Sequence, residues 1–124
     1  MGYVDGFVLV LKKGKLNEYR KMANDAGKVW KRHGAIDYVE CVGDDMHPKM
    51  PGKILNFPNV IKTKPGEKVV FSYITYKSRA HRDSVNKKVM KEMNETYSEK
   101  DMNKPMPFDM KRMAYGGFKS VVEL

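Results

Sequence analysis

A single cysteine, Cys41, stands among the 124 residues. It leaves no intramolecular disulfide and no all-cysteine zinc site, and it suits a reducing cytoplasm. No apolar run approaches the roughly 20 residues that a membrane helix needs. Met1 to Leu11 has neither the basic n-region nor the cleavage site of a signal peptide, so the expectation is a cytoplasmic protein with no membrane partner. Basic residues never stand more than two together (Lys12-Lys13, Arg20-Lys21, Lys31-Arg32, Lys87-Lys88, Lys111-Arg112), and there is no polybasic arm or tail. The three histidines, His33, His47 and His81, lack the close spacing of metal ligands. A Gly-rich phosphate loop and a Ser-His-Asp nucleophile pattern are both missing. No metal and no cofactor are expected.

What is present is a basic, globular composition. Lys+Arg number 24 and Asp+Glu 15, a formal charge of +9, with 41% hydrophobic and 31% charged residues. The length supports one domain, 1–124, with a single core. The charge is spread, +4 over residues 1–62 and +5 over residues 63–124. Such a surface attracts polyanions, but it does not localise a binding site.

Periodicity orders the chain. Tyr3 to Leu11 (YVDGFVLVL) reads as a strand. From Leu16 to His33, apolar residues recur every three or four positions, a helix of about five turns stopped by Gly34. Ala35 to Val42 is a second strand. Met46 to Pro58, with three prolines, reads as a long loop, and Phe57 to Lys62 as a short extended piece. Val69 to Tyr76 (VVFSYITY) is the clearest strand. Ser78 is placed to cap a helix from Arg79 to Asn94. Tyr97 to Asp109 is irregular around Pro105 and Pro107. Arg112 to Val122 closes the chain as a fourth strand, whose Gly116-Gly117 pair predicts a bulge or a close backbone approach. The order βαββαβ is the ferredoxin-like plan, a four-stranded antiparallel sheet with both helices on one face.

Alternation separates Tyr3, Asp5, Phe7 and Leu9 from Val4, Val8 and Val10, and Val70, Ser72, Ile74 and Tyr76 from Val69, Phe71, Tyr73 and Thr75. Both faces are largely apolar, yet two helices cover only one. The second face calls for a copy of the same chain or for stacked RNA bases. The run Lys68 to Tyr76 lacks the glycines of an RNA-binding strand. Of the +9, +6 lies on the two helices, opposite that face. A homodimer is therefore favoured, and specific nucleic-acid binding is disfavoured.

Several motifs combine at this point: YVDGFV at 3–8, Glu40-Cys41 with Asp44-Asp45, the 69–86 block VVFSYITY-x-SR-x-x-RD-x-x-N, and MPFD-x-KRM-x-YGGF at 106–118. With them the chain closely resembles the YbaA-like family of small conserved bacterial proteins, a family of unknown function. The resemblance implies a dimeric α+β barrel, in which two ferredoxin-like sheets close face to face, and it implies no established activity. Distant relatives of that superfamily include cofactor-independent monooxygenases, haem-degrading enzymes, small isomerases and ligand-binding regulatory domains, among which fold alone does not choose.

The candidate site is a small-molecule pocket between sheet and helices, lined by Tyr73, Asn86, Phe108, Asp109 and Arg112, with Arg112 as electrostatic partner of an anionic or carbonyl-bearing ligand. The plainer alternative for Asp109 and Arg112 is an ion-pair network that orders the Pro105–Pro107 loop. Asp5 and Glu40 lie within strands, where each is a base of raised pKa, the structural partner of Arg20 or Arg112, or a solvent-facing group at the barrel rim, with structural pairing favoured. Met102, Met106, Met110 and Met113 are soft enough for Cu(I), but without a flanking His or Cys they read as gap-filling side chains. Cys41, within a strand, is expected to be buried and inert. The function expected is a ligand-binding or structural dimer. A cofactor-independent monooxygenase- or isomerase-like enzyme for a small aromatic or carbonyl compound is the alternative.

Overall fold

The structure, a computed structural model, describes residues 2–124. The first apolar run forms β1 (Tyr3–Leu11) and the helical stripe forms α1 (Leu16–Arg32), followed by β2 (Asp37–Val42), α2 (Phe57–Ile61), β3 (Lys68–Tyr76), α3 (Arg79–Thr96), α4 (Glu99–Met102) and β4 (Ala114–Lys119). The strands make one antiparallel sheet in the order β2-β3-β1-β4. β1 and β2 both pair with β3, and β3 and β4 both pair with β1. The chain therefore interleaves two β-α-β crossovers, one through α1 and one through α3.

Register sets the faces. Leu9 opposes Val70, Phe7 opposes Ser72, Asp5 opposes Ile74 and Tyr3 opposes Tyr76. All of these side chains point toward the helices. Tyr19 and Ala23 of α1 pack on Leu9, Leu11, Val70 and Phe108, whereas Val85 and Val89 of α3 pack on Ala35, Ile74 and Tyr76. The core is thus two clusters, one under each helix. The other face carries Val4, Val8, Val39, Cys41, Phe71, Tyr73 and Phe118, with Phe71 and Phe118 exposed. Cys41, on an edge strand, is exposed there rather than buried, whereas Val10 and Val69 on the same face of β1 and β3 are buried.

Three local expectations change. Phe57 to Ile61 is a helical turn and not an extended piece. Pro58 sits in its first turn, where the fixed φ is pre-organised and the missing N–H costs nothing, and Lys62 ends it in the left-handed region at φ 55°. The stretch after α3 contains α4, closed by a reciprocal capping box between Ser98 and Asp101. The last strand begins two residues later than expected, since Asp109 accepts the Lys111 N–H and opens a tight turn over Met110–Arg112. The register of β4 against β1 runs unbroken from Val8–Ala114 to Tyr3–Lys119. The paired glycines therefore mark a close approach and no bulge: a Cβ on Gly117 would meet Tyr3 Cε1 at 2.9 Å.

Gly27 is the tightest constraint on α1. It is buried in mid-helix, and a Cβ there would lie 2.6 Å from Cδ1 and 3.2 Å from Cγ of Tyr38. Cγ lies too close to the β2 backbone to move aside. Gly27→Ala therefore lowers stability by about 1–3 kcal/mol through overpacking, although Ala favours a helix by about 1 kcal/mol. In a Tyr38→Val background the same change becomes stabilising. Chemical denaturation of the four proteins checks both signs.

Candidate functional site

α1 and α3 meet at one end. Trp30 Nε1 donates to Asn86 Oδ1 at 3.1 Å, and Glu92 accepts from Arg32 and lies 3.0 Å from His33 Nε2. Beside the Trp30–Asn86 contact the helices leave an open cleft of about 460 Å³ over the sheet. Its walls are aromatic and aliphatic: Phe7 and Tyr115, stacked at 4.6 Å, with Tyr19, Trp30, Tyr38 and Phe108. Into this surface come four polar side chains, Asp5, Glu40, Ser72 and Asn86. A second groove, about 620 Å³, runs between α1 and the β2 edge and shares Tyr19, Tyr38 and Glu40 with the first.

The two carboxyls have different partners. Asp5, only 1% exposed, accepts from Arg82 Nη1 at 2.6 Å. Burial pushes its pKa up, while the guanidinium and the Tyr115 and Asn86 side chains pull it back. Arg82 also donates to Asp83 at 2.8 Å and to Tyr115 at 3.0 Å, and its guanidinium lies over the Tyr3 ring at 4.9 Å. Glu40 is half-buried and, among the described residues, has no cationic partner. The Tyr19 hydroxyl donates to it at 2.7 Å, and the Tyr38 and Ser72 hydroxyls also reach it. Burial outweighs these neutral donors and raises the Glu40 pKa. Burial and the neighbouring carboxyl raise the Tyr19 and Tyr38 phenols as well, so both keep their protons.

The site residues read from sequence divide. Asn86 and Phe108 line the cleft, and Tyr73 borders it through its backbone. Gly6 and Val39 are its register partners, and its ring lies 6.2 Å from that of Phe71 on the opposite face. Asp109 and Arg112 lie outside the lining. Arg112 grips Glu67 with two bonds of 2.6 and 2.8 Å, Asp109 at 2.6 Å and the Lys62 carbonyl at 2.9 Å. Neither Asp5 nor Glu40 pairs with Arg20 or Arg112; the cation at Asp5 is Arg82, one turn into α3. Tyr19, Trp30 and Tyr115, outside the candidate set read from sequence, also line the cleft. Tyr19 and Trp30 carried a signal, since both belong to the α1 stripe and end in a hydrogen-bonding group.

The carboxyls titrate in opposite senses, and stability follows. Hydrogen bonds from Arg112 hold Glu67 at about 2, below its ordinary 4.5. Its contribution is therefore present above pH 4.5 and lost as pH falls through about 2. Glu40 is raised, so its folded form is favoured below its ordinary pKa and that advantage fades as pH rises through the folded value. Glu67→Gln is expected to lower the melting temperature at neutral pH, with a deficit that closes in acid. Glu40→Gln is expected to raise it at neutral pH, with no difference in acid. Thermal melts across that range check both.

The chain matches the family model "Protein of unknown function (DUF1428)" over residues 2–110. It is 41% identical over 123 residues to "Uncharacterized protein YbaA" of Escherichia coli (strain K12) and of Shigella flexneri, covering 99% of either sequence. A solved structure, "De novo designed protein Foldit4", aligns over 97% of this chain and 99% of its own at 10% identity and a TM-score of 0.48. The full-length match to YbaA and the family model together place the chain: it belongs to the DUF1428 family of proteins of unknown function.

Proposed function

We propose that the chain is a cytoplasmic homodimer of the ferredoxin-like, dimeric α+β barrel type that binds a small, flat, mostly apolar molecule in the cleft between α1, α3 and the sheet. The observation that carries this reading is the convergence of Asp5, Glu40 and Asn86 on an aromatic cleft of about 460 Å³. Ligand sites fall in that size range, and a few oriented polar groups in an apolar wall are their usual composition. Asn86 and Phe108 then touch ligand. Asp109 and Arg112 serve it indirectly, by tying the Phe108 segment to Glu67 at the start of β3.

The dimer rests on the uncovered face. Four strands about 4.8 Å apart and six residues long give a footprint of about 400 Å² in projection, the scale at which apolar patches mark an interaction surface. Asp37 is the one charged residue among its strand positions, so the face offers no charge pattern to select a different partner. A flat surface of that kind fits its own copy across a two-fold axis. The strand order β2-β3-β1-β4 and the interleaved crossovers support the ferredoxin-like part of the reading.

A second reading, a cofactor-independent enzyme for a small carbonyl or aromatic compound, is favoured by one feature, the Glu40 carboxyl without a cation.

Two measurements test these proposals. Light scattering at low micromolar concentration should give about 29 kDa, twice the 14.3 kDa chain, and Phe71→Asp should give the monomer; a wild-type monomer would sink the barrel. In a thermal-shift screen of flat aromatic ketones and phenols, a binder at 100 times its Kd adds about 2.7 kcal/mol. Ala26→Trp, which fills the cleft from α1, should abolish that shift. An unchanged shift would place the ligand elsewhere.

A further inference from the structure

The orientation of Asn86 is fixed by its neighbours. Its Oδ1 accepts from Trp30 Nε1 at 3.1 Å and from Tyr76 Oη at 3.3 Å. The indole nitrogen only donates, so it fixes the amide oxygen on its own side, and the Tyr76 hydroxyl donates to the same oxygen. The amide nitrogen must therefore point the other way, toward Asp5 and the cleft. It is a neutral donor whose direction is set before any ligand arrives.

Glu40 faces the same space from β2. Glu40 shares a row of the sheet with Ser72 and Phe7, and Asp5 lies one row further along β1. Two strand spacings and one two-residue step put the Glu40 and Asp5 Cα atoms about 12 Å apart. One or two fused rings fit between the side chains that rise from those positions. Phe7, Tyr115, Trp30 and Tyr38 supply flat walls for such rings. A carboxyl kept only for structure in an apolar wall is normally matched by a cation, as Asp5 is by Arg82. Glu40 has hydroxyl donors alone, which hold it in place and lower its pKa, but burial outweighs them and keeps it raised.

We propose that Glu40 is the proton acceptor and donor of a cofactor-free prototropic shift on a flat cyclic carbonyl compound, with Asn86 Nδ2 as donor to the oxygen that becomes negative. This rests on the cleft being the ligand site. The Glu40 carboxylate removes a proton from the carbon next to the carbonyl. The C–H pair forms a carbon–carbon double bond, and the carbonyl π pair moves onto oxygen, where the Asn86 amide meets it. The Glu40 carboxylic acid then returns its proton to carbon or to oxygen, restoring the carboxylate. No electrons leave the substrate and no co-reactant is consumed. General base catalysis of this kind is worth about 10²–10⁴-fold, and a positioned donor at the developing oxyanion adds to it.

The experiment follows deuterium uptake at the acidic carbon of 2-tetralone in D₂O by proton NMR, with chemical-shift changes of the Trp30 indole N–H in a parallel H₂O sample reporting occupancy. Wild-type protein is expected to speed exchange about 100-fold or more over buffer. Glu40→Gln, which keeps shape and one acceptor oxygen, should bind the probe and lose that acceleration, and Asn86→Ser should lose at least tenfold. Binding with no acceleration by the wild type, or acceleration that survives Glu40→Gln, overturns the assignment of Glu40 and leaves the cleft as a binding site. A probe that neither shifts Trp30 nor exchanges faster than in buffer overturns both readings.

Discussion

The register of β1 against β3 is the constraint on which the molecule depends. With Leu9 opposite Val70 and Asp5 opposite Ile74, the helix side receives Leu9, Leu11, Val70, Ile74 and Tyr76, and with them the carboxyl of Asp5. A one-residue slip of β1 would send Leu9, Leu11 and Asp5 to the uncovered face and bring Val4, Val8 and Val10 under the helices. The apolar count would hardly change. What would be lost is chemistry: Asp5 would leave Arg82, and the Phe7–Tyr115 stack would leave the cleft. Register is therefore held less by hydrophobicity than by the Asp5–Arg82 pair and by the close fit of Tyr3 against Gly117.

Much of the architecture was legible because the periods are strong. The stripe from Leu16 to His33, the alternation of β3 and the Ser78 cap all translate directly, and Ser78 Oγ does accept the His81 N–H. The short elements were harder to read. α2 and α4 are four to five residues long, too short for a period, and only their end signals (Pro58, and Ser98 with Asp101) were available. Two strand faces of similar apolarity were visible in β1 and β3. The sequence could not say that Cys41 and Val39, on an edge strand, would share the open face.

The site was legible in part, for a physical reason. Asn86 lies on α3, whose sheet-facing side follows the helical period, whereas Phe108 lies outside the strands, at an isolated bridge to Leu11. Asp109 and Arg112 were chosen for charge and proximity in sequence, yet charge in a loop is most easily satisfied nearby. Glu67, Asp109 and the Lys62 carbonyl take up most of the Arg112 guanidinium. The groups that remain in the cleft are those whose charge was not met locally. Glu40 is the clearest of them, because its neighbours on the helix face of β2 and β3 are hydroxyl-bearing or apolar.

The two proposed roles share β3. Along this strand Ser72 and Ile74 form part of the cleft floor, while Phe71 and Tyr73 alternate with them on the face assigned to the second copy. A sheet is one layer thick, so ordering Phe71 and Tyr73 against a partner also restricts the backbone that carries Ser72, and through Ser72 the Glu40 carboxyl. Geometry at a proton-transfer site matters at the level of half an ångström. An uncovered sheet of two apolar faces is a poor support for such a site, and a covered one is a good support. The charge distribution agrees with this division of labour. The basic excess of α1 and α3 lies outside both the cleft and the open face, where it adds solubility and repels nothing that either surface must meet.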